Sequence, residues 1–167
     1  MHDIYNILDQ HTIEYALEEV GALKGDYGWL NSRNYWNKNL YDGAMIGNIS
    51  CSKASPHLTA IIHRVLAPYI PPCKEVVVQH FLWHPLSGIN MHDDHGKAFT
   101  ATIYLTPHWN INWGGLLIYD NGEGLKAHFP TFNSCCILPP GTPHMVGQVS
   151  PLVPHDRYTL QIFGYET

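Results

Sequence analysis

Residues 75–105 read Glu75-Val-Val-Val-Gln-His-Phe-Leu-Trp83, His84-Pro-Leu-Ser-Gly88, Ile89-Asn-Met-His-Asp-Asp-His95 and Gly96-Lys-Ala-Phe-Thr-Ala-Thr-Ile-Tyr-Leu105. Short β-branched and aromatic runs, broken by Gly, Pro and Asn, are the pattern of strands joined by turns. The predicted strands here are Val76–Trp83, Ile89–Asp94 and Thr100–Leu105. The same texture continues with Leu116–Tyr119, Cys135–Leu138 and Tyr158–Gly164. Several short strands of this kind imply an antiparallel sandwich or barrel.

Upstream the pattern is different. Residues 12–23 predict a helix, with Thr12 as N-cap and Ile13, Leu17 and Val20 on one face. Ser55 followed by Pro56 signals a second helix running to about Tyr69, with Leu58, Ile61, Ile62, Val65 and Leu66 as its apolar stripe. These helices are expected to buttress one face of the sheet. Residues 24–50 read as irregular and carry Tyr27, Trp29, Tyr35, Trp36 and Tyr41. They suit either a loop pinned by its rings or a flap over a substrate.

The chain has 167 residues, enough for one domain with a substantial core. We expect a single unit over 1–167, in which 1–75 supports a core at 76–165. Hydrophobic residues reach 45% and charged residues only 14%, which excludes a disordered chain. Lys and Arg total nine and form no cluster, which argues against a nucleic-acid partner. No leader or membrane-length apolar run is visible. The four cysteines lack CxxC spacing and read as reduced thiols in a cytoplasmic protein. Oligomeric state is not legible.

The chemistry centres on Met91-His-Asp-Asp-His95. In a strand, positions i and i+2 share a face, so His92 and Asp94 can hold one metal together. Asp93 and His95 form an equivalent pair on the other face, and the pattern leaves both registers open. Two ligands are too few, and His144 in Pro143-His-Met145 is available as a third. Two histidines and one carboxylate leave open positions on a metal, the arrangement of non-haem Fe(II) oxygenases.

Several segments, in order, resemble the 2-oxoglutarate-dependent oxygenases of the prolyl 4-hydroxylase-like branch. They are Val78–Trp83 leading to the His-x-Asp pair, Phe99–Thr106 followed by Trp109 and Trp113-Gly-Gly, Phe129-Pro130, Ile137–Gly141 with His144, and Asp156–Leu160. The resemblance covers roughly residues 76–165. It selects His92, Asp94 and His144 as the metal ligands. It also implies that Arg157 grips the distal carboxylate of 2-oxoglutarate, with Thr159 and Tyr104 as further contacts. The fold implied is a double-stranded β-helix, or jelly roll, with N-terminal helices on one sheet. Fe(II), 2-oxoglutarate and dioxygen are the implied cofactor and cosubstrates, with ascorbate as an optional addition.

The implied reaction is hydroxylation of an unactivated C–H bond, with release of succinate and CO2. A prolyl or other peptidyl side chain is the favoured substrate. A free amino acid or small metabolite is the alternative partner. A different class, a non-catalytic metal-bearing cupin-type module, explains the three ligands equally well but gives Arg157 and Thr159 no task. Trp83 and Thr106 stand where the family commonly has Tyr and Asn, which leaves the detailed substrate contacts open.

Overall fold

The structure is a computed structural model that describes residues 2–23, 30–32 and 45–166. Among these residues the elements run β1 (His2–Tyr5), α1 (Gln10–Leu23), β2 (Leu30–Ser32), β3 (Met45–Ile46), β4 (Ile49–Lys53), α2 (Pro56–Leu66), β5 (Glu75–Trp83), β6 (Gly88–His92) and β7 (Lys97–Tyr104). A 3-10 turn (Ile111–Trp113) follows, then β8 (Leu117–Asp120), β9 (Leu125–His128), β10 (Ser134–Leu138), β11 (His144–Val146) and β12 (Arg157–Tyr165). A seven-stranded sheet has the order β1-β10-β7-β12-β5-β4-β2, and a five-stranded sheet the order β3-β6-β11-β8-β9. The pairings are antiparallel. The result is a jelly-roll-like sandwich. No helix among the described residues is long and apolar enough to cross a membrane.

Alternation along β12 organises both faces of the large sheet. Tyr158, Leu160 and Ile162 pack with Leu58, Ile62 and Leu66 of α2 and Ile13, Ala16 and Val20 of α1. Arg157, Thr159, Gln161 and Phe163 therefore turn into the space between the sheets. Leu58, Ile62 and Leu66 recur at every fourth residue and are fully buried, each worth about 1.5–3 kcal/mol.

The helix signals are met with two corrections. Ser55 caps α2, its Oγ accepting the Leu58 N–H at 3.1 Å, but the helix stops at Leu66 rather than Tyr69. The first helix begins at Gln10, because Asp9 and not Thr12 is the cap: its Oδ1 accepts the Thr12 N–H at 2.7 Å. Leu17 is 39% exposed, since it is turned about 100° from the buried Ala16.

The six predicted strands are present with small boundary shifts, except that β6 ends at His92 and leaves Asp94 outside it. Residues 45–50, expected to be irregular, instead enter β3 and β4, where β4 pairs with β5. A segment that short gets its extended shape from its partner strand more than from its own residues. The aromatic residues Tyr27, Trp29, Tyr35, Trp36 and Tyr41, read as a loop or flap, lie outside the described residues.

A polar network ties the helices to the large sheet. His80 on β5 is fully buried, with Nδ1 2.7 Å from the Tyr158 hydroxyl and Nε2 3.5 Å from Glu19 Oε1. Glu19 on α1 in turn accepts the Ser55 N–H and hydroxyl at the start of α2. Burial lowers the His80 pKa below its ordinary 6.5, with Glu19 opposing. The unfolded chain thus takes up a proton before the folded one, and this contribution to stability is lost as pH falls below about 6.5. Urea midpoints between about pH 7.5 and 5 should drop more steeply for the wild type than for His80→Gln.

Candidate active site

The backbone register brings His92 and His144 side by side, because β6 and β11 pair with these residues as direct partners. Their rings lie 4.3 Å apart between centroids. Asp94 enters from the turn after β6, where the Lys97 N–H bonds to the Asp94 carbonyl at 3.2 Å. Its Oδ2 is 3.4 Å from His144 Nε2. One donor atom from each of His92, Asp94 and His144 lies within 4.8 Å of the other two.

Both rings are oriented by the backbone. His92 Nδ1–H donates to the Asn90 carbonyl and His144 Nδ1–H to the Thr142 carbonyl, each at 2.8 Å. A carbonyl can only accept, so both Nδ1 atoms carry a proton, and in the neutral rings each Nε2 has a lone pair to offer a cation, that of His144 beside Asp94 Oδ2. Burial, and the neighbouring His144, lower the His92 pKa. For His144 burial also pulls downward, but the Asp94 contact outweighs it and the net shift is up. Burial works to raise Asp94, yet His144, His92 and Lys97 hold it below its ordinary value, as a carboxylate.

Asp93 and His95 are not drawn into this cluster. They pair with each other at 2.9 Å, with the His95 side chain 87% exposed. Of the two i, i+2 pairs, His92 and Asp94 therefore lie with His144, while Asp93 and His95 lie with each other at the surface.

Arg157 is 1% exposed, and its guanidinium carbon sits 5.1 Å from the ring centroids of both Trp83 and Tyr104. A surface pairing with Asp156 does not occur, because Asp156 binds His84 at 2.8 Å. Arg157 Nε and Nη1 and the Tyr104 hydroxyl are buried without a hydrogen-bond partner. Burial lowers the Arg157 pKa to about 10, so the group stays cationic near neutrality, and it raises that of Tyr104. A buried cation and hydroxyl left unpaired are costly unless an anionic acceptor joins them.

The two departures from the expected pattern have local explanations. Trp83 Nε1–H donates to Thr159 Oγ1 at 3.0 Å, leaving the Thr159 hydroxyl proton to donate elsewhere. Thr106 Oγ1 accepts the Tyr158 N–H at 2.6 Å and so holds the strand beside Arg157. The Trp113-Gly-Gly segment also acquires a reason. Trp109 Nε1–H donates to the Gly114 carbonyl at 2.9 Å. At Gly115, with φ of 67°, an added Cβ would meet Arg157 Cδ at 3.0 Å and Nε at 3.2 Å. Gly115→Ala should therefore cost about 1–3 kcal/mol, read as a lowered melting temperature, and displace the guanidinium.

A cavity of about 140 Å³ lies between the sheets, bounded by His92, Asp94 and His144 and walled by Phe81, Trp83 and Gln161 among others. Arg157, against the ring of Trp83, does not itself line it. Gln161 was not singled out from the sequence, although its i+4 offset from Arg157 places it on the same face of β12. The Thr102 hydroxyl donates to its Oε1 at 2.8 Å.

The fold is shared with solved prolyl hydroxylases and with a 2OG-Fe(II) oxygenase family protein from Burkholderia pseudomallei, so the resemblance read from the sequence holds at the level of architecture. The structure is similar to a prolyl-4-hydroxylase from Pseudomonas putida, with a TM-score of 0.77 at 12% identity over 99% of this chain and 92% of that one. It is similar to a prolyl hydroxylase from Trichoplax adhaerens, solved in complex with a hypoxia inducible factor oxygen degradation domain peptide fragment. That match has a TM-score of 0.72 at 17% identity over 99% and 83% of the two chains. A third likeness, TM-score 0.69 at 12% identity over 99% and 96%, is to the viral collagen prolyl hydroxylase of Paramecium Bursaria Chlorella virus-1, solved as a 2OG complex. No family model and no curated relative matches the sequence.

Proposed function

We propose that the protein is an Fe(II)- and 2-oxoglutarate-dependent dioxygenase that hydroxylates a prolyl or other peptidyl side chain, releasing succinate and CO2. The observation that carries this reading is the pair of unpartnered Arg157 nitrogens, Nε and Nη1, beside the unpartnered Tyr104 hydroxyl, buried in the same sandwich as two histidines and a carboxylate. A cupin-type binding module gives that cation no counterpart.

His92, Asp94 and His144 would hold the iron through two nitrogens and one oxygen, a donor set suited to a non-haem Fe(II) centre with open positions. Arg157 would grip the distal carboxylate of 2-oxoglutarate through its planar fork, with Tyr104 and Thr159 donating hydroxyl hydrogen bonds. When bound, iron and 2-oxoglutarate supply the oxidative decarboxylation that delivers an oxygen atom from dioxygen to a C–H bond. Phe81, Leu117 and Val146 keep the cavity apolar, and Gln161 offers an amide to orient what enters. The peptide complex of the Trichoplax enzyme supports a peptidyl substrate here.

Succinate release from 2-oxoglutarate, measured with Fe(II) and ascorbate over a panel of prolyl peptides and free proline, tests the reading. Stimulation by a peptide and not by free proline is expected. Stimulation by free proline alone would move the substrate to small molecules. No succinate under any condition would remove the oxygenase assignment.

A further inference from the structure

A second cluster of side chains with metal-ligand chemistry lies where β1 and β10 of the large sheet meet β9 of the small one, with Cys136 also on the wall of the cavity that His92, Asp94 and His144 bound. Asp3 and Cys136 are direct cross-strand partners, and His128 comes from the facing sheet. One donor atom from each lies within 4.8 Å of the other two. His128 and Cys136 are buried, while the Asp3 side chain is 39% exposed and leaves a way in from solvent. The reading proposed above uses none of the three.

The hydrogen bonds around His128 say more than proximity does. Ser134 Oγ lies 2.7 Å from the Thr131 carbonyl, a contact that needs the hydroxyl proton because a carbonyl cannot donate. With its only proton spent there, Ser134 Oγ must accept from His128 Nε2, 3.1 Å away. The proton of the neutral imidazole is therefore on Nε2. His128 Nδ1 then presents a lone pair to Asp3 Oδ1 at 2.9 Å, an acceptor facing an acceptor. Two acceptors at that distance need a positive charge shared between them, either a second proton on the imidazole or a metal ion, and the Cys136 sulfur converges on the same point.

We propose that Asp3, His128 and Cys136 form a second metal site, suited to Zn²⁺ or another borderline divalent transition metal. Nitrogen, sulfur and oxygen are the donors that zinc accepts, and water through the exposed side of Asp3 would complete a four-coordinate shell. Binding displaces the Cys136 thiol proton, so affinity rises with pH. The metal would tie three strands of two sheets together beneath Tyr104, whose ring stacks on His128 at 5.0 Å. The site stands whether or not the iron assignment holds.

Cobalt(II) is the probe, because a thiolate-to-cobalt charge-transfer absorption in the near ultraviolet requires sulfur, which the His92/Asp94/His144 cluster lacks. The band is expected in the wild-type chain and in a His92→Ala/His144→Ala double variant, saturating at one equivalent in the latter, and bleached by added Zn²⁺. Cys136→Ser should lose it entirely. Asp3→Asn, at an exposed edge, should weaken cobalt binding on the order of tenfold or more while the circular dichroism spectrum is unchanged. Absence of the band in the wild type, or its survival in Cys136→Ser, overturns the proposal. So does nitrogen NMR showing His128 doubly protonated at neutral pH with and without metal, which would make the contact an ordinary ion pair.

Discussion

Replacing His144 or Asp94 with alanine should abolish tight Fe(II) binding, whereas Asp93→Ala and His95→Ala should leave it nearly intact. Loss of a mere supporting hydrogen-bond partner costs about 10–100-fold in metal affinity, so loss of a ligand should cost on the order of 100-fold or more. The contrast is sharp because the two pairs interleave within four residues yet face opposite ways. Asp94 lies 3.4 Å from His144 Nε2, while His95 is spent on Asp93 at the surface. Equilibrium dialysis under anaerobic conditions reads the difference directly. Loss of binding in Asp93→Ala or His95→Ala would return the ligand set to the other register.

Arg157→Ala should weaken the apparent affinity for 2-oxoglutarate about 10- to 100-fold, the equivalent of about 1.5–3 kcal/mol for a charge-assisted pair. Fe(II) binding should survive. Arg157→Lys should recover only part of the loss, since an ammonium lacks the bidentate fork. Arg157→Met separates this role from a structural one. The cation is 1% exposed and two of its nitrogens lack partners, so an apolar side chain of similar length should not lower the melting temperature of the ligand-free protein. A Met variant that loses stability but keeps the wild-type Michaelis constant for 2-oxoglutarate would assign Arg157 to packing.

The strands that form the middle of the large sheet were legible because β5, β7 and β12 are long and rich in β-branched and aromatic residues and β10 is a bounded apolar run. The strands of three or fewer residues were not. β11 is only His144–Val146, and what makes it extended is pairing with β6 and β8 on either side. Caps were readable where the chemistry was unambiguous, as at Ser55-Pro56. They were misread where Asp9 and Thr12 both qualified and the helix took the earlier start.

The site followed the same division. Local periodicity offered His92 with Asp94 beside the alternative pair Asp93 and His95, and the family resemblance singled out the first pair together with Arg157 and Thr159 on the last strand. Gln161 could have been found by extending that period one step. His128 is buried in β9 with partners Asp3 and Ser134 from β1 and β10, and no local signal in the sequence links the three. The Gly115 requirement was likewise invisible, since it depends on where the Arg157 side chain passes.

Anaerobic addition of Fe(II) and then 2-oxoglutarate, followed by visible absorption, tests the central claim most directly. Chelation of a three-ligand iron by the keto acid should produce a metal-to-ligand charge-transfer band only when both are present. The band should be missing in His144→Ala and should require about 10–100-fold more 2-oxoglutarate in Arg157→Ala. Iron that binds stoichiometrically but gives no band at saturating 2-oxoglutarate would contradict the account and leave the protein a metal-binding jelly roll without this cosubstrate.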